Sequence, residues 1–180
     1  MRPLLLAAAL IASVAPAMAV DAPTPAAVQA FLDTHAHAPG VTVRPSGLQM
    51  RAIKHGNGRP VGPRDALQIY FTARLADGRV IDGTSPGLPA PVDLSGTLAG
   101  LGEGLQQMRE GDHFELVLPP ALAFGAKGTA NGSVPPNQAM LFDVTVVSAR
   151  PAAAGGVAQG NSVGFTAMNG ESHAYFTIHP

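Results

Sequence analysis

The middle of the chain is dominated by short stretches in which apolar and polar residues alternate. The alternation is strongest at 66–75, where every second residue is apolar: Leu67, Ile69, Phe71, Ala73 and Leu75. Because successive side chains of a β-strand point to opposite faces, this period predicts a strand with one buried face. Asp77-Gly78 follows it and predicts a tight hairpin turn. Further strands are predicted at 48–53, 79–81, 92–94, 114–118 and 140–149.

A helix is predicted near the N-terminus. Thr24-Pro25 supplies an N-cap and a first helical residue, apolar side chains follow at helical spacing, and Pro39-Gly40 closes the segment. The predicted helix has about fourteen residues, a length that is marginal unless the helix packs on something. Residues 41–46 are predicted to be an extended linker.

A second helix is predicted in the middle of the chain. Leu101, Leu105 and Met108 are spaced i, i+4 and i+7, so they share one helical face, and Gly111 ends the segment. Many short strands around one internal helix predict an α+β fold, with an antiparallel sheet curled around that helix. The residues that follow, 151–180, predict a linker of small residues and a C-terminal tail to which the sequence assigns no role.

Composition and charge narrow the class of protein. The 180 residues carry eleven basic and twelve acidic side chains, a formal net charge of −1. This balance offers no electrostatic footprint for nucleic acid or for an anionic membrane. The absence of cysteine removes thiol nucleophiles and thiolate metal sites. His35 and His37 could hold a metal, but without a third ligand they are interpreted as polar surface, and we expect neither a metal nor a cofactor.

The first residues predict export. Arg2 precedes an apolar run at 4–14, and Ala17-Met18-Ala19 provides a cleavage site of small residues, so residues 1–19 are interpreted as a signal peptide. The alternative, a membrane anchor, is disfavoured because the apolar run is too short to span a bilayer. We therefore expect a periplasmic or secreted protein that is not bound to the membrane after cleavage.

Several separated motifs occur in a fixed order. They are Gly47-Leu48-Gln49, Asp77 to Asp82, Leu98 to Gly111, Leu118 to Gly125, Val134 to Asn137 and Leu141 to Val144. In this order and spacing the chain resembles the FKBP-type peptidyl-prolyl cis/trans isomerases, closest to the exported bacterial branch of macrophage-infectivity-potentiator-like proteins. The resemblance divides the chain into four parts. They are a signal peptide at 1–19, a short helix and linker at 20–46, an isomerase domain at 47–150, and the tail at 151–180.

The resemblance implies an antiparallel half-barrel and an apolar cleft, between the sheet and the short helix, that holds a proline ring. Leu101 would form the floor of the cleft, and the backbone N–H of Leu98 would donate a hydrogen bond to a substrate carbonyl. The residues implied to be catalytic are Asp82 at the rim, Phe71 and Phe142. Those implied to bind substrate are Ile81, Val92, Thr97, Leu98, Leu101, Phe124 and Val134. The family's chemistry needs no metal or cofactor.

Five of these positions depart from the residues usual in the family. Leu101 stands where Trp is usual, Phe71 and Phe124 where Tyr is usual, and Ile81 and Val92 where Phe is usual. The cleft stays apolar but loses its aromatic cage and its phenol hydroxyls. We therefore predict an isomerase of exported proteins with reduced activity and with weakened binding of the family's macrolide inhibitors.

Two alternatives stay open at the level of sequence. The apolar side chains, Phe71 and Phe142 among them, could simply fill the core, and Asp82 could be an ordinary turn residue bonded to its own backbone. The domain could also be a chaperone that binds apolar or proline-containing segments with little catalysis. Proline-containing polypeptides are the expected partners in either case. The N-terminal helix is too short for an extended dimerisation arm, which predicts a monomer.

Overall fold

A computed structural model describes residues 22–151 of the chain. The elements in that range are α1 (Pro25–Ala36), β1 (Val41–Val43), β2 (Gln49–Lys54), β3 (Asp65–Leu75), β4 (Val80–Gly83), β5 (Ala90–Asp93), α2 (Ala99–Leu105), β6 (His113–Leu118), a 3₁₀ turn (Pro120–Leu122) and β7 (Met140–Pro151). The predicted signal peptide and the predicted tail after residue 151 lie outside the described residues.

The strands of residues 22–151 form one antiparallel sheet in the order β1-β2-β6-β7-β3-β4, with β5 also paired to β3. Its centre is the long ladder between β3 and β7, which runs from Asp65 opposite Pro151 to Leu75 opposite Met140. On the other edge of β3, β5 pairs with the first half of the strand and β4 with the second half. The predicted α+β class, with an antiparallel sheet folded around one short helix, is confirmed.

A helix packs on each face of the sheet. On one face, Leu101 and Leu105 of α2 join the main apolar core. On the other, Val28 and Leu32 of α1 pack with Val117 of β6 in a second cluster. This contact supplies the stabilisation that a twelve-residue helix lacks by itself. It also explains why the end of β6 buries consecutive residues, where the alternation predicted only one apolar face.

Two predicted segments differ from the structure. The linker expected at 41–46 contains β1, which pairs with β2 at the edge of the sheet. Three residues are too few for alternation to reveal a strand. The second helix ends at Leu105 and does not extend to Met108, because a turn follows in which Met108 N–H donates to Leu105 O. Met108 is nevertheless buried in the core. The apolar spacing that predicted a longer helix therefore reflects the burial of Met108, which lies in a turn and not in the helix.

Two glycines bring α2 close to β6 and to the 3₁₀ turn. A Cβ placed on Gly100 would lie 2.6 Å from Leu118 Cγ and 2.9 Å from Leu122 Cβ. One placed on Gly104 would lie 2.7 Å from Leu116 Cδ1. Carbon atoms in van der Waals contact are about 3.5–4.0 Å apart, so neither position has room for a side chain. The two glycines therefore set how near the helix approaches the sheet.

Gly100→Ala is expected to lower the free energy of unfolding by about 1–3 kcal/mol, because overpacking outweighs the gain in helix propensity of about 1 kcal/mol. Gly102→Ala is the matched control in the same helix, since its Cβ would meet Thr97 Cγ2 at 3.3 Å and Leu94 O at 3.6 Å. In the control the gain in helix propensity of about 1 kcal/mol offsets the milder contact, so it should lose less stability than Gly100→Ala or gain stability. Urea unfolding measures both variants, and equal losses would show that the Gly100 contact does not constrain the helix.

Candidate active site

The residues mapped to the cleft fall into a buried group and a partly exposed rim. Five belong to the main core and are at most 6% exposed: Phe71, Val92, Leu101, Val134 and Phe142. Three pack against that core and keep part of their surface accessible: Ile81, Leu98 and Phe124. The buried group thus has the core role that the sequence left open. The accessible part of the mapped site is its rim.

Strand register places Asp82 and Phe142 in one row across the sheet. Ala73 of β3 lies opposite Asp82 of β4 on one side and opposite Phe142 of β7 on the other. Directly opposite residues share a face of the sheet, and Ala73 and Phe142 are both in the main core. Phe71 precedes Ala73 by two residues on the same face, and its ring centroid lies 6.3 Å from that of Phe142. The sheet therefore brings Asp82, Phe71 and Phe142 together.

Val92 and Thr97 lie apart from this row. Val92 is opposite Leu67, which precedes Ala73 on β3 by six residues. That separation corresponds to about 20 Å along a strand. Thr97 is half-buried just before α2, with its Cγ2 beside Gly102. The structure therefore places these two mapped residues at the far end of the core and at the start of α2.

A β-bulge at Ile81 accounts for the presence of two neighbouring residues at the rim. Asp82 is opposite Ala73, and Val80 is opposite the next residue of β3, Arg74, so Ile81 is the extra residue. In a regular strand, consecutive side chains point to opposite faces, and a bulge redirects them. Ile81 accordingly packs against the same core that Asp82 adjoins.

Thr84 ties the loop after β4 to Phe71, a role that the motifs did not indicate. Its backbone N–H donates to Phe71 O at 2.9 Å. Its hydroxyl accepts from Phe71 N–H at 3.1 Å and lies 3.3 Å from Phe71 O, to which it can donate. Thr84 therefore occupies the gap between β4 and β5 along the edge of β3. A hydroxyl residue directly after the end of β4 is the signal that could have revealed this role.

Leu98 is the N-cap residue of α2. Its backbone is extended, with φ −57° and ψ 140°, and its carbonyl accepts from Gly102 N–H at 2.9 Å. Its side chain packs against the main core. No backbone carbonyl of residues 22–151 accepts a hydrogen bond from Leu98 N–H, as is usual at the start of a helix. This amide therefore has no backbone partner among the described residues.

The carboxyl of Asp82 is partly removed from water. Burial raises its pKa from the ordinary 3.8 to about 6, and the hydrogen bond that Gly83 N–H donates to it at 2.7 Å lowers the pKa in part. Burial acts in this direction because it disfavours the charged form of a carboxyl. At neutral pH the group is still ionised. The rim therefore combines apolar side chains with one partly desolvated negative charge.

Both histidines considered as metal ligands are engaged in the fold. The ring nitrogens of His35 lie 2.6 Å from Gln49 Oε1 and 2.9 Å from Glu115 Oε1. His37 bonds to a backbone carbonyl of α1. Within residues 22–151, no three potential metal-binding side chains form a group. The helices of that same range are all too short or too polar to cross a bilayer.

A single antiparallel sheet folded around a short helix, with an apolar rim beside a half-buried carboxyl, defines an FKBP-type domain. The sequence profile of the family described as FKBP-type peptidyl-prolyl cis-trans isomerase matches residues 58–147. The chain belongs to this family.

Known relatives are similar over most of this chain. It is 36% identical over 125 residues to the outer membrane protein MIP of Legionella longbeachae, and the match covers 69% of this chain and 53% of that protein. It is 35% identical over 118 residues to the FKBP-type 22 kDa peptidyl-prolyl cis-trans isomerase of Escherichia coli, with coverage of 65% and 57%. A crystal structure of a peptidyl-prolyl cis-trans isomerase from Pseudomonas syringae pv. tomato matches with a TM-score of 0.65 and 27% identity, covering 73% of this chain and 98% of that one. This chain spans about half the length of the curated relatives.

Asp82→Asn tests the desolvation of the rim. In the wild type, the native state holds the Asp82 proton up to about pH 6 and the unfolded state only to about 3.8. The free energy of unfolding therefore falls as pH rises through this window. A pKa rise of this size corresponds to at most about 3 kcal/mol, and solvent screening of a half-exposed group reduces it to about 1 kcal/mol.

The Asn variant should consequently gain about 1 kcal/mol over the wild type between pH 4 and pH 7.5. Urea unfolding at the two pH values measures the gain. Asp33→Asn on the exposed face of α1 is the control, and it should show no gain of that size. A difference between Asp82→Asn and wild type that does not change with pH would contradict the desolvation of Asp82.

Proposed function

We propose that this chain is a peptidyl-prolyl cis/trans isomerase that assists the folding of exported proteins, in the periplasm or after secretion. The observation that carries the proposal is the row of Asp82 and Phe142 across β4, β3 and β7, with Phe71 and Ile81 beside it. Beside this row, the partly exposed side chains of Ile81, Leu98 and Phe124 provide an apolar surface, to which the N–H of Leu98 adds a hydrogen-bond donor and Asp82 a partly desolvated charge.

Such a surface can lower the barrier to rotation about an X-Pro bond without a reactive group. Rotation costs roughly 18–20 kcal/mol because amide resonance is lost in the twisted state. The planar imide is charge-separated and is stabilised by water, whereas the twisted imide has a less polar carbonyl. A water-poor rim therefore favours the twisted form over the planar one, which is preferential binding of the transition state. A thousandfold acceleration requires only about 4 kcal/mol.

Each part of the rim has a role in this proposal. Ile81, Leu98 and Phe124 contact the proline ring and exclude water from it. The backbone N–H of Leu98 donates to a carbonyl of the substrate and orients the chain. The carboxylate of Asp82 supplies a fixed negative charge, whose interaction with the imide dipole is strengthened by the low local polarity. Metal ions and cofactors have no part in this mechanism.

At five mapped positions the side chains are smaller or less polar than those usual in the family, which supports the proposal of reduced activity. Ile81 at the rim is aliphatic where the family usually has Phe, so the contact area with a proline ring is smaller. Leu101 and Val92 make the same kind of exchange in the core beneath. Phe71 and Phe124 have no phenol hydroxyl, and a lost hydrogen bond costs about 1 kcal/mol. We propose for the same reasons that macrolide inhibitors bind weakly. A monomer is proposed because α1 is short and packs on its own sheet.

A specific observation supports a chaperone as the second candidate. Val80 adjoins Ile81 and is 62% exposed, and Leu88 in the loop after β4 is 66% exposed. With the rim, these side chains offer apolar surface that could hold an unfolded segment without twisting a peptide bond. Proline-containing polypeptides are the partners in both candidates.

Isomerisation of short X-Pro peptides tests the first candidate. Ile81→Ala is expected to lower kcat/KM about fivefold, since it removes roughly 40 Å² of apolar contact with the ring, equivalent to about 1 kcal/mol. Ile53→Ala makes the same change at a 50% exposed residue of β2 and should leave kcat/KM unaltered. Phe142→Ala is a poor probe because it would cost about 3–5 kcal/mol of stability at a fully buried position. Absent catalysis, or equal losses in both Ile variants, would contradict the proposal.

Refolding of a client protein separates the two candidates. Uncatalysed X-Pro isomerisation takes about 10–100 s, and an isomerase shortens this slow phase. We expect the wild type to accelerate it and Ile81→Ala to accelerate it less. Suppressed aggregation with an unchanged slow phase would establish the chaperone in place of the isomerase.

A further inference from the structure

An open groove of about 260 Å³ runs along α2 beside the rim. The residues that matter here are Leu94, Leu98, Glu103, Gln106 and Gln107, all of which line it. Leu98 belongs both to this groove and to the rim of the mapped site. The motif Leu98 to Gly111 contains most of the lining residues, but it did not indicate a groove. The groove is formed only where the end of the preceding loop lies beside the accessible side of the helix.

Glu103 gives the groove a negative charge that Arg44 neutralises only in part. Among residues 22–151, the one cationic group within 4 Å of its carboxylate is Arg44, whose Nε lies 3.8 Å from Glu103 Oε1. This distance exceeds a hydrogen bond. The side chains of Arg44 and Glu103 are also 38% and 29% exposed, so the pair is weak. The carboxylate therefore keeps its capacity to bind a further cation.

The other groups of the groove suit an extended polypeptide. Gln106 Nε2 donates to Gly102 O at 3.0 Å, which leaves the amide oxygen of Gln106 able to accept. Gln107 is exposed and offers both a donor and an acceptor. Leu94 and Leu98 are partly buried and add apolar surface. Peptide N–H and C=O groups pair with amides of this kind.

The spacing between the rim and Glu103 corresponds to a short length of extended chain. Leu98 and Glu103 are five residues apart, which is about 7.5 Å along a helix axis. Two residues of extended peptide span about 6.6 Å. A polypeptide whose carbonyl accepts from Leu98 N–H would therefore bring a side chain to Glu103 about two residues further along.

We propose that this groove binds the polypeptide that flanks the isomerised proline, and that Glu103 selects substrates with a Lys or Arg about two residues from the residue held by Leu98 N–H. The inference rests on the proposed function, because it adds a flanking subsite to the same cleft. Glu103 acts here as a specificity determinant and takes no part in bond rotation.

Fluorescein-labelled peptides test the groove. Each carries one proline and either Lys or Glu at one of three positions on either side, and binding by anisotropy is measured alongside isomerisation. One position is expected at which the Lys peptide binds about fivefold more tightly than the Glu peptide. The preference should disappear in Glu103→Gln and weaken at high salt. Asp33→Asn, which also removes one negative charge but on α1, is the matched control and should retain it.

The outcomes separate this inference from the isomerase proposal. Three results would contradict the proposed flanking subsite. They are no charge preference at any position, a preference that persists in Glu103→Gln, and no peptide binding. Catalysis without a charge preference would contradict the flanking subsite and would still support the isomerase proposal. Peptide binding that depends on Glu103, without any catalysis, would support the flanking subsite and contradict the isomerase proposal.

Discussion

The close approach of α2 to β6 is the constraint on which the rest of this domain depends. Gly100 and Gly104 present no side chain to the strand, so the helix lies close enough to the sheet for Leu101 to pack in the core. A seven-residue helix with three glycines has little stability by itself, and packing therefore holds it in place. The same packing sets the position of Leu98 at the rim and of Glu103 in the groove. Larger residues at the glycine positions would move the helix outward and admit water.

The edge of β3 provides the second half of the arrangement. Two short strands share this edge, β5 on the first half and β4 on the second, and Thr84 fills the gap by bonding to Phe71. The bulge at Ile81 then turns Ile81 and Asp82 towards the core together. A carboxyl held there loses part of its hydration, which is why its pKa rises to about 6. The proposed site thus includes an irregularity of the sheet edge, where Ile81 and Asp82 adjoin the core that α2 also packs on.

The side chains mapped to the floor of the proposed site are core residues. Phe142 and Leu101 are almost inaccessible, so their first effect is on stability, and in the proposed function the contacts with a substrate fall to the rim. This division suits a reaction that needs a dry surface and no reactive group. It also means that exchanging aromatic for aliphatic residues reduces contact area and shape without making the surface polar. The groove beside α2 is lined by Glu103, Gln106 and Gln107, so it offers polar contacts next to the apolar rim.

The sequence by itself determined the fold class and the longer strands, because alternation such as that of Leu67 to Leu75 directly reflects which side chains are buried. Its motifs also identified the family and predicted the set Asp82, Phe71 and Phe142, which remains a prediction as a catalytic set. Only the tertiary structure decided the bulge at Ile81, the bonds of Thr84, the short strand β1 and the contact of Gly100 with Leu118. Each of these depends on how two separate segments pair or pack, and the pattern within one segment carries no information about which residue of the other will lie opposite.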